Sequence, residues 1–421
     1  DYIFMPSVHT MRHESSHVEH NYGCVYMQTA PRLAANALNL EQRGITLLSP
    51  VFDLDFGQEA MASAMLGVGK QLGIPKPRCL PALLSGAKAV RRHTAAVEKQ
   101  GRELLASLRP DDKVLVLITR NYGLSDPVLN MGIPRLLLER GHKVITLSHL
   151  PAHDLDLSED YPNLYWPFGQ HILSGAKLVA HHPNLYAVYL TNHGCGPDTM
   201  LSYLFRKEMG DKPYLQIEVD EHFSPVGVIT RIEAFLQSRE GRPAQPLPAG
   251  FSLTSVVHRP TAVAAVPERT GGPLLVPDLP PFTAYLRAYC EAAWKTETRT
   301  LRLDSTTLPL GRAETSSKEY LPFPALLGGV LTAAEAESGP FQVLLPSTQG
   351  AEADGQYPWG VETVLERREL CRVKVIAPEL ETLPERCPEP ALLFRALLTG
   401  DLLLCAPPEQ RDALAPAGVP G

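Results

Sequence analysis

LYAVYLTNHGCGPDTMLS, residues 185–202, joins an apolar run to a glycine-flanked cysteine and then to a helix start. The alternation of Leu185, Ala187 and Tyr189 predicts a buried strand, and Gly194-Cys195-Gly196-Pro197-Asp198-Thr199 predicts a turn into a helix with proline near its first position. One thiol therefore falls where a strand ends and a helix begins. In an open parallel sheet, ligands bind beyond the carboxyl ends of the strands, and a helix N-terminus stabilises a thiolate through its free N–H groups and dipole. A lone strand cysteine is by default an inert packing group. Glycines on both sides, which let a backbone approach something bulky, make Cys195 a candidate ligand or reactive thiol instead.

Outward from this stretch the same rhythm repeats. Predicted strands over 113–119, 143–147, 185–191 and 214–219 alternate with helices over 127–140, 168–180, 200–209 and 226–237. Residues 239–273 are rich in Pro, Ala and Ser without periodicity, which predicts a connection. Beyond it, strands over 274–276, 300–303, 342–345 and 373–376 alternate with helices over 282–294, from near Lys318, over 359–370 and over 391–404. Strands alternating with helices predict parallel sheets covered on both faces. The expected fold is α/β, with two doubly wound, Rossmann-like or flavodoxin-like domains over 1–238 and 274–421 and any site at their cleft. Ahead of the first sheet, helices are expected over 33–42, 58–72 and 82–108 and a strand over 45–49, with Cys79 a structural residue in the break between the last two helices.

Composition narrows the partners. A net charge of −7 across 421 residues, and no basic stripe with interleaved aromatics, disfavour nucleic acid and anionic membrane surfaces. Seven cysteines without dense spacing suit a reducing, cytoplasmic setting. No apolar run reaches membrane-spanning length and no signal peptide is visible. Neither GxxxxGK[ST] nor a GxGxxG after a strand occurs, so no ATP site is expected in this chain. The opening DYIFMP reads as a strand running into a turn, and the chain is expected to be the C-terminal piece of something longer.

Other chemistry-bearing residues cluster near the start. His9, His13, His17 and His20, at spacings of four, four and three, would share one face of a helix. With Glu14 and Glu19 nearby a metal site is conceivable, but a solvated helix face is the preferred reading. Cys24, in Asn21-Tyr22-Gly23-Cys24-Val25, sits in a Gly-containing aromatic turn like that of Cys195. Asp220-Glu221-His222 closes the strand over 214–219, at the sheet edge that carries Cys195, where it suits metal or proton chemistry as well as it suits ordinary loop polarity.

The stretches YGLSDPVLNMGIPRLLLERGHKVITLSHL (122–150) and NLYAVYLTNHGCGPDTM through KPYLQIEVDEHFSPVGVITRIEAF (184–235) closely resemble the large activase-related proteins of the 2-hydroxyacyl-CoA dehydratase and benzoyl-CoA reductase group. The resemblance extends more weakly over nearly the whole chain. It implies an actin-like ATPase activator module, upstream or in trans, that drives electrons to low potential through iron–sulfur clusters, and an acyl-CoA dehydratase or reductase component as partner. It also implies four cysteine motifs, two of which are kept: YGCVYMQTAP with Cys24 and TNHGCGPD with Cys195. Where the third normally reads Gly-Lys-Glu-Cys, this chain has Ser317-Lys318-Glu319-Tyr320; where the fourth has Gly-Pro-Cys, it has Gly350-Ala351-Glu352. Tyr320 and Glu352 thus stand at positions where the family has metal-binding cysteines. Cys290, Cys371, Cys387 and Cys405 match no motif and are read as packing residues.

A cubane cluster is normally held by four thiolates. Two functions follow as alternatives. One is an iron–sulfur electron-transfer component or activator, the non-ATPase part of an acyl-CoA dehydratase activase, with Cys24 and Cys195 as cluster ligands. The other is a degenerate, non-redox interaction or regulatory module that has lost its cluster.

Overall fold

A computed structural model describes residues 1–407 except 12–14, 19–20, 55–56, 221, 223, 239–262, 269–270, 317, 346, 349 and 380–388. The chain divides into two compact units, Asp1–Arg259 and Pro260–Gly421. Both are α/β, and residues 239–262 of the expected connection lie outside the described residues.

The first unit is built on β5 (Val114–Ile118), β6 (Lys143–Thr146), β7 (Leu185–Asn192) and β8 (Leu215–Val219), in the order β6-β5-β7-β8 and parallel throughout. Helices α5 (Ile133–Glu139) and α8 (Pro225–Ser238) cover one face: Ile133, Leu137, Val228, Ile232 and Phe235 pack on Leu115, Leu117, Val188 and Ile217. Helices α6 (Pro167–His181) and α7 (Gly196–Met209) cover the other, where Phe205 stacks on Tyr189 at 4.1 Å and Gly175 admits Leu147 and Ile118. The strand at the centre is therefore buried on both faces rather than on alternate residues, as a parallel sheet with double cover requires.

Strands that are apolar on both sides carry no alternation to fix their register. A single amide does so here. Asn184, just before β7, donates from Nδ2 to the carbonyls of Arg109 (3.0 Å), Pro110 (3.1 Å) and Asp112 (2.6 Å), while its own carbonyl accepts from Val114 N (2.8 Å). The start of β7 is thus tied to the start of β5.

Ahead of this sheet, β1 (Tyr2–Phe4) pairs with β3 (Thr46–Leu48) and β2 (Ser7–Val8) with β4 (Val51–Phe52), both parallel, alongside α1 (Val25–Ala37), α2 (Gly57–Gln71) and α3 (Lys76–Ala106). Two helices begin earlier than their sequence suggests, and for one reason. Pro31 lies inside α1 and Pro81 inside α3, each forgoing one backbone hydrogen bond, so a reading that stops at proline starts these helices at 33 and 82. Cys79 consequently lies within α3, against Gly69, and not in a break.

The histidine helix does not form among the described residues. His9 and His17 lie in irregular backbone, Thr10 bridges Tyr22 antiparallel, and Met11 N donates to Asn21 O at 2.9 Å. His17 pairs instead with Asp156. His13, Glu14, Glu19 and His20 lie outside the described residues.

The second unit repeats the plan. Strands β9 (Leu274–Pro277), β10 (Thr298–Leu301), β11 (Phe341–Leu344) and β12 (Val373–Ile376) lie in the order β10-β9-β11-β12, all parallel. One face is covered by α9 (Phe282–Trp294) and α13 (Pro390–Cys405), whose Leu286, Tyr289, Cys290 and Leu393 pack on Leu274, Val276, Leu344 and Ile376. Helix α10 (Leu308–Glu314) precedes α11 (Pro322–Ala336), and α11 meets α12 (Tyr357–Arg367) through the rings of Phe323 and Tyr357, 5.5 Å apart. Of the cysteines read as packing residues, Cys290 is fully buried, whereas Cys371 and Cys405 are exposed and Cys387 lies outside the described residues.

Acid sensitivity follows from His182, which ends α6 and is buried. Its Nδ1 accepts from Asn184 N (3.3 Å), and burial, helped by the nearby Lys212 ammonium, holds the ring down at about 4. The unfolded chain binds a proton near pH 6.5 that the folded chain refuses until about 4. Stability is therefore complete above that upper value and is lost as pH falls through the window, by on the order of 2–3 kcal/mol in all. Denaturant unfolding at a series of pH values should show a shallower slope across this window for His182→Gln than for the unmodified chain; equal slopes would contradict this assignment.

Candidate functional site

In the first sheet the order β6-β5-β7-β8 reverses direction between β5 and β7, whose connections leave on opposite faces and open a crevice at the strands' carboxyl ends. Two side chains enter it from those strands. Arg120 lies two residues beyond β5, at the N-cap of α4 (Asn121–Ser125), and Cys195 lies three beyond β7, at the N-cap of α7. A third arrives from far away in sequence: Cys24, the N-cap of α1.

All three meet. Arg120 Nη1 lies 3.9 Å from Cys24 Sγ and Nη2 lies 2.7 Å from Cys195 Sγ. Because the two guanidinium nitrogens are only about 2.3 Å apart, the two sulfurs lie within about 9 Å of each other. Nη2 also donates to Asp198 Oδ1 at 3.1 Å, and the pair is closed off from water, with side chains 7% and 4% exposed. The guanidinium plane lies over Phe168, 4.1 Å from the ring centroid. Asp198 Oδ2 in turn accepts from Asn192 N (2.8 Å), and the Asn192 side chain donates to the Tyr122 hydroxyl (2.9 Å) at the mouth.

The local sequence explains the placement. Gly194 turns the chain after β7 at φ +65°. Gly23 presses on β2: a Cβ there would sit 2.3 Å from the Val8 carbonyl oxygen. The glycines beside the thiols thus serve a turn and a backbone packing contact, rather than the approach of a bulky ligand. The Cys24 thiol makes no capping hydrogen bond, and at Cys195 the Asp198 backbone N–H of the first turn of α7 lies against the sulfur.

Electrostatics runs against an ionised Cys195. Burial and the Asp198 carboxylate push this thiol up to about 12, and Arg120 only partly offsets them. The helix N-terminus therefore does not make it a thiolate here, whereas a metal ion would deprotonate it by direct coordination.

Asp220 and His222 follow β8, the neighbour of β7 at the same edge of the sheet. Asp220 accepts from His222 N (3.0 Å) beyond β8, and His193 pairs with Glu218 (3.0 Å). Glu221 lies outside the described residues. In the second unit, Glu352 follows β11, the third strand in chain order, as Cys195 follows β7 in the first, and Tyr320 precedes α11. Both are exposed. Burial, and then Asp354, Tyr320 and Glu352, push the Tyr357 phenol up to about 12.

Arg120, Asp198 and Phe168 were not singled out by sequence. The signal for Arg120 was a charged residue two positions beyond an unbroken apolar strand, VLVLITR, at a strand's carboxyl end. Among the described residues no group of three or more His, Cys, Asp or Glu side chains is arranged to hold a metal ion. The first unit's donors are two sulfurs and a carboxylate, all turned on one guanidinium, and this set does not fit a cubane that asks for four thiolates.

Residues 1–150 match the family model described as the CoA enzyme activase uncharacterised domain. The match supports a protein related to the activases of CoA enzymes. It takes in Cys24 and Arg120 and ends before Cys195 and Asp198. Comparison with curated proteins gives no match, and neither does comparison with solved structures.

The buried ion pair is open to a direct test. Arg120→Ala leaves Asp198 charged and unpaired, and it should cost about 3 kcal/mol or more in denaturant unfolding. Arg120→Met combined with Asp198→Asn should cost clearly less than the sum of the two single changes. Additive effects would mean that the two side chains act independently.

Proposed function

We propose that this chain is an activase-related component of an acyl-CoA dehydratase or reductase system, and that it serves there as a docking or regulatory module rather than as a carrier of a four-thiolate cluster. The activase match over residues 1–150 supports the first part. The observation that carries the second is Arg120, whose guanidinium fills the space between the two retained thiols and is held there by Asp198. The ATPase that would energise such a system is a separate module, upstream or in trans, and the partner is a 2-hydroxyacyl-CoA dehydratase or benzoyl-CoA reductase-like component.

The redox reading keeps one specific support. Cys24 and Cys195, far apart in sequence, are brought to a single crevice at two helix N-termini. Under that reading they are two cluster ligands. Were a cluster bound, it would supply one-electron transfer, and this chain's part would be to hold it and exclude water.

Anaerobic reconstitution with iron and sulfide separates the two. The unmodified chain is expected to retain no stoichiometric iron and sulfide after desalting and to lack the visible absorption of a cluster. Stable, stoichiometric cluster in the unmodified chain would overturn the proposal in favour of the redox reading. Tyr320→Cys with Glu352→Cys tests whether the geometry survives its ligands: binding gained only in this double variant supports a site that lost its function by losing thiolates.

A further inference from the structure

Two free thiols in one crevice are the makings of a disulfide, and what stands between Cys24 and Cys195 decides whether one forms. Each heads a helix, Cys24 as the N-cap of α1 and Cys195 as the N-cap of α7, and both are free. A disulfide sets its sulfurs about 2 Å apart. These two lie within about 9 Å of each other across the fork of Arg120, and a change of χ1 at each cysteine shortens that distance.

The obstacle is the guanidinium. Nη1 lies 3.9 Å from Cys24 Sγ and Nη2 lies 2.7 Å from Cys195 Sγ, so each end of the fork meets one sulfur. A sulfur cannot pass through this planar group, and the group is held in place. Nη2 also donates to Asp198 Oδ1 at 3.1 Å, in an ion pair closed off from water, and the guanidinium lies 4.1 Å from the centroid of the Phe168 ring. Its departure would leave a buried carboxylate without a cation. A lysine ammonium would neutralise Asp198, but only a fork reaches both sulfurs at once. The thiols, and not Asp198 alone, thus account for an arginine at this position. The electrostatics of the crevice acts in the same direction: disulfide formation starts from a thiolate, and burial with Asp198 pushes the Cys195 thiol up to about 12.

We propose that Arg120 is a wedge that keeps Cys24 and Cys195 as separate, reduced thiols, and that the pair closes to a disulfide on oxidation once the wedge is withdrawn. The proposal concerns the metal-free chain. A cluster taken up by the unmodified chain would overturn the docking reading above and leave this one standing.

Oxidation of the full chain with diamide tests it. Cys24 and Cys195 give up two electrons and two protons, which reduce the N=N bond of diamide to a hydrazine, and one S–S bond forms between the two sulfurs. Peptide mapping by mass spectrometry without reductant reads this linkage directly, apart from any that the other cysteines make. The unmodified chain should keep both thiols free. Arg120→Lys, which leaves a cation for Asp198, should gain the linkage, and so should Arg120→Ala combined with Asp198→Asn, which removes both charges. Circular dichroism establishes that the variants are folded, and the lysine variant suffices if the double variant is not. Linkage in the unmodified chain at the rate of the variants would overturn the wedge. Folded variants whose two thiols react with iodoacetamide but never join would overturn it as well, because the helices and not Arg120 would then hold the sulfurs apart.

Discussion

The parallel ladder between β5 and β7 is the constraint on which the first unit depends. The winding of the sheet reverses there, so the connections diverge and the carboxyl ends of these two strands form the floor of a crevice. The strands are apolar on both faces, and their apolar pattern alone permits a slip. Asn184 prevents it by binding three carbonyls of the turn that leads into β5. A shift of one residue would carry Cys195 and Asp198 away from Arg120 by about 3.3 Å and turn each strand's side chains to the wrong helix layer. One amide at the far end of the strand therefore governs the alignment of the site.

The α/β architecture was legible because unbroken apolar strands and helix starts recur at short intervals, and Phe282–Trp294 and Val373–Ile376 coincide with their sequence-based limits. Where the reading failed, a local signal was overruled by tertiary context. Pro31 and Pro81 are tolerated inside helices, and the four spaced histidines had helical periodicity without an apolar face to bury. The two motif cysteines were visible as glycine-turn thiols at helix starts. The role of Arg120 was not, since nothing in TRNYG shows that a side chain will turn inward and be covered by an aromatic ring. Partnership of residues 24, 120, 195 and 198 is a property of the folded chain.

Charge bookkeeping inside the crevice explains why this arginine has so much influence. A carboxylate as buried as Asp198 requires a cation, and Arg120 supplies it together with a planar fork that reaches both sulfurs at once. Among the described residues the same fork leaves Nε without a hydrogen-bond partner, so the arrangement is not fully satisfied there. The thiols lie against a positive group, yet burial, and after it the carboxylate that holds the arginine, push the Cys195 thiol up.

The shared strand order of the two units has a chemical consequence. Each places a residue after its third strand, at the corresponding corner of the sheet, and the two corners differ in donor hardness. Polarizable sulfur stands in the first; carboxylate and phenol oxygens, from Glu352, Asp354, Tyr320 and Tyr357, stand in the second. Soft donors favour ions such as Cu(I), Zn and the iron of sulfide clusters, whereas hard oxygens favour Mg, Ca and Mn. The two corners thus differ in donor chemistry, although among the described residues neither gathers a set of His, Cys, Asp or Glu side chains arranged to hold an ion.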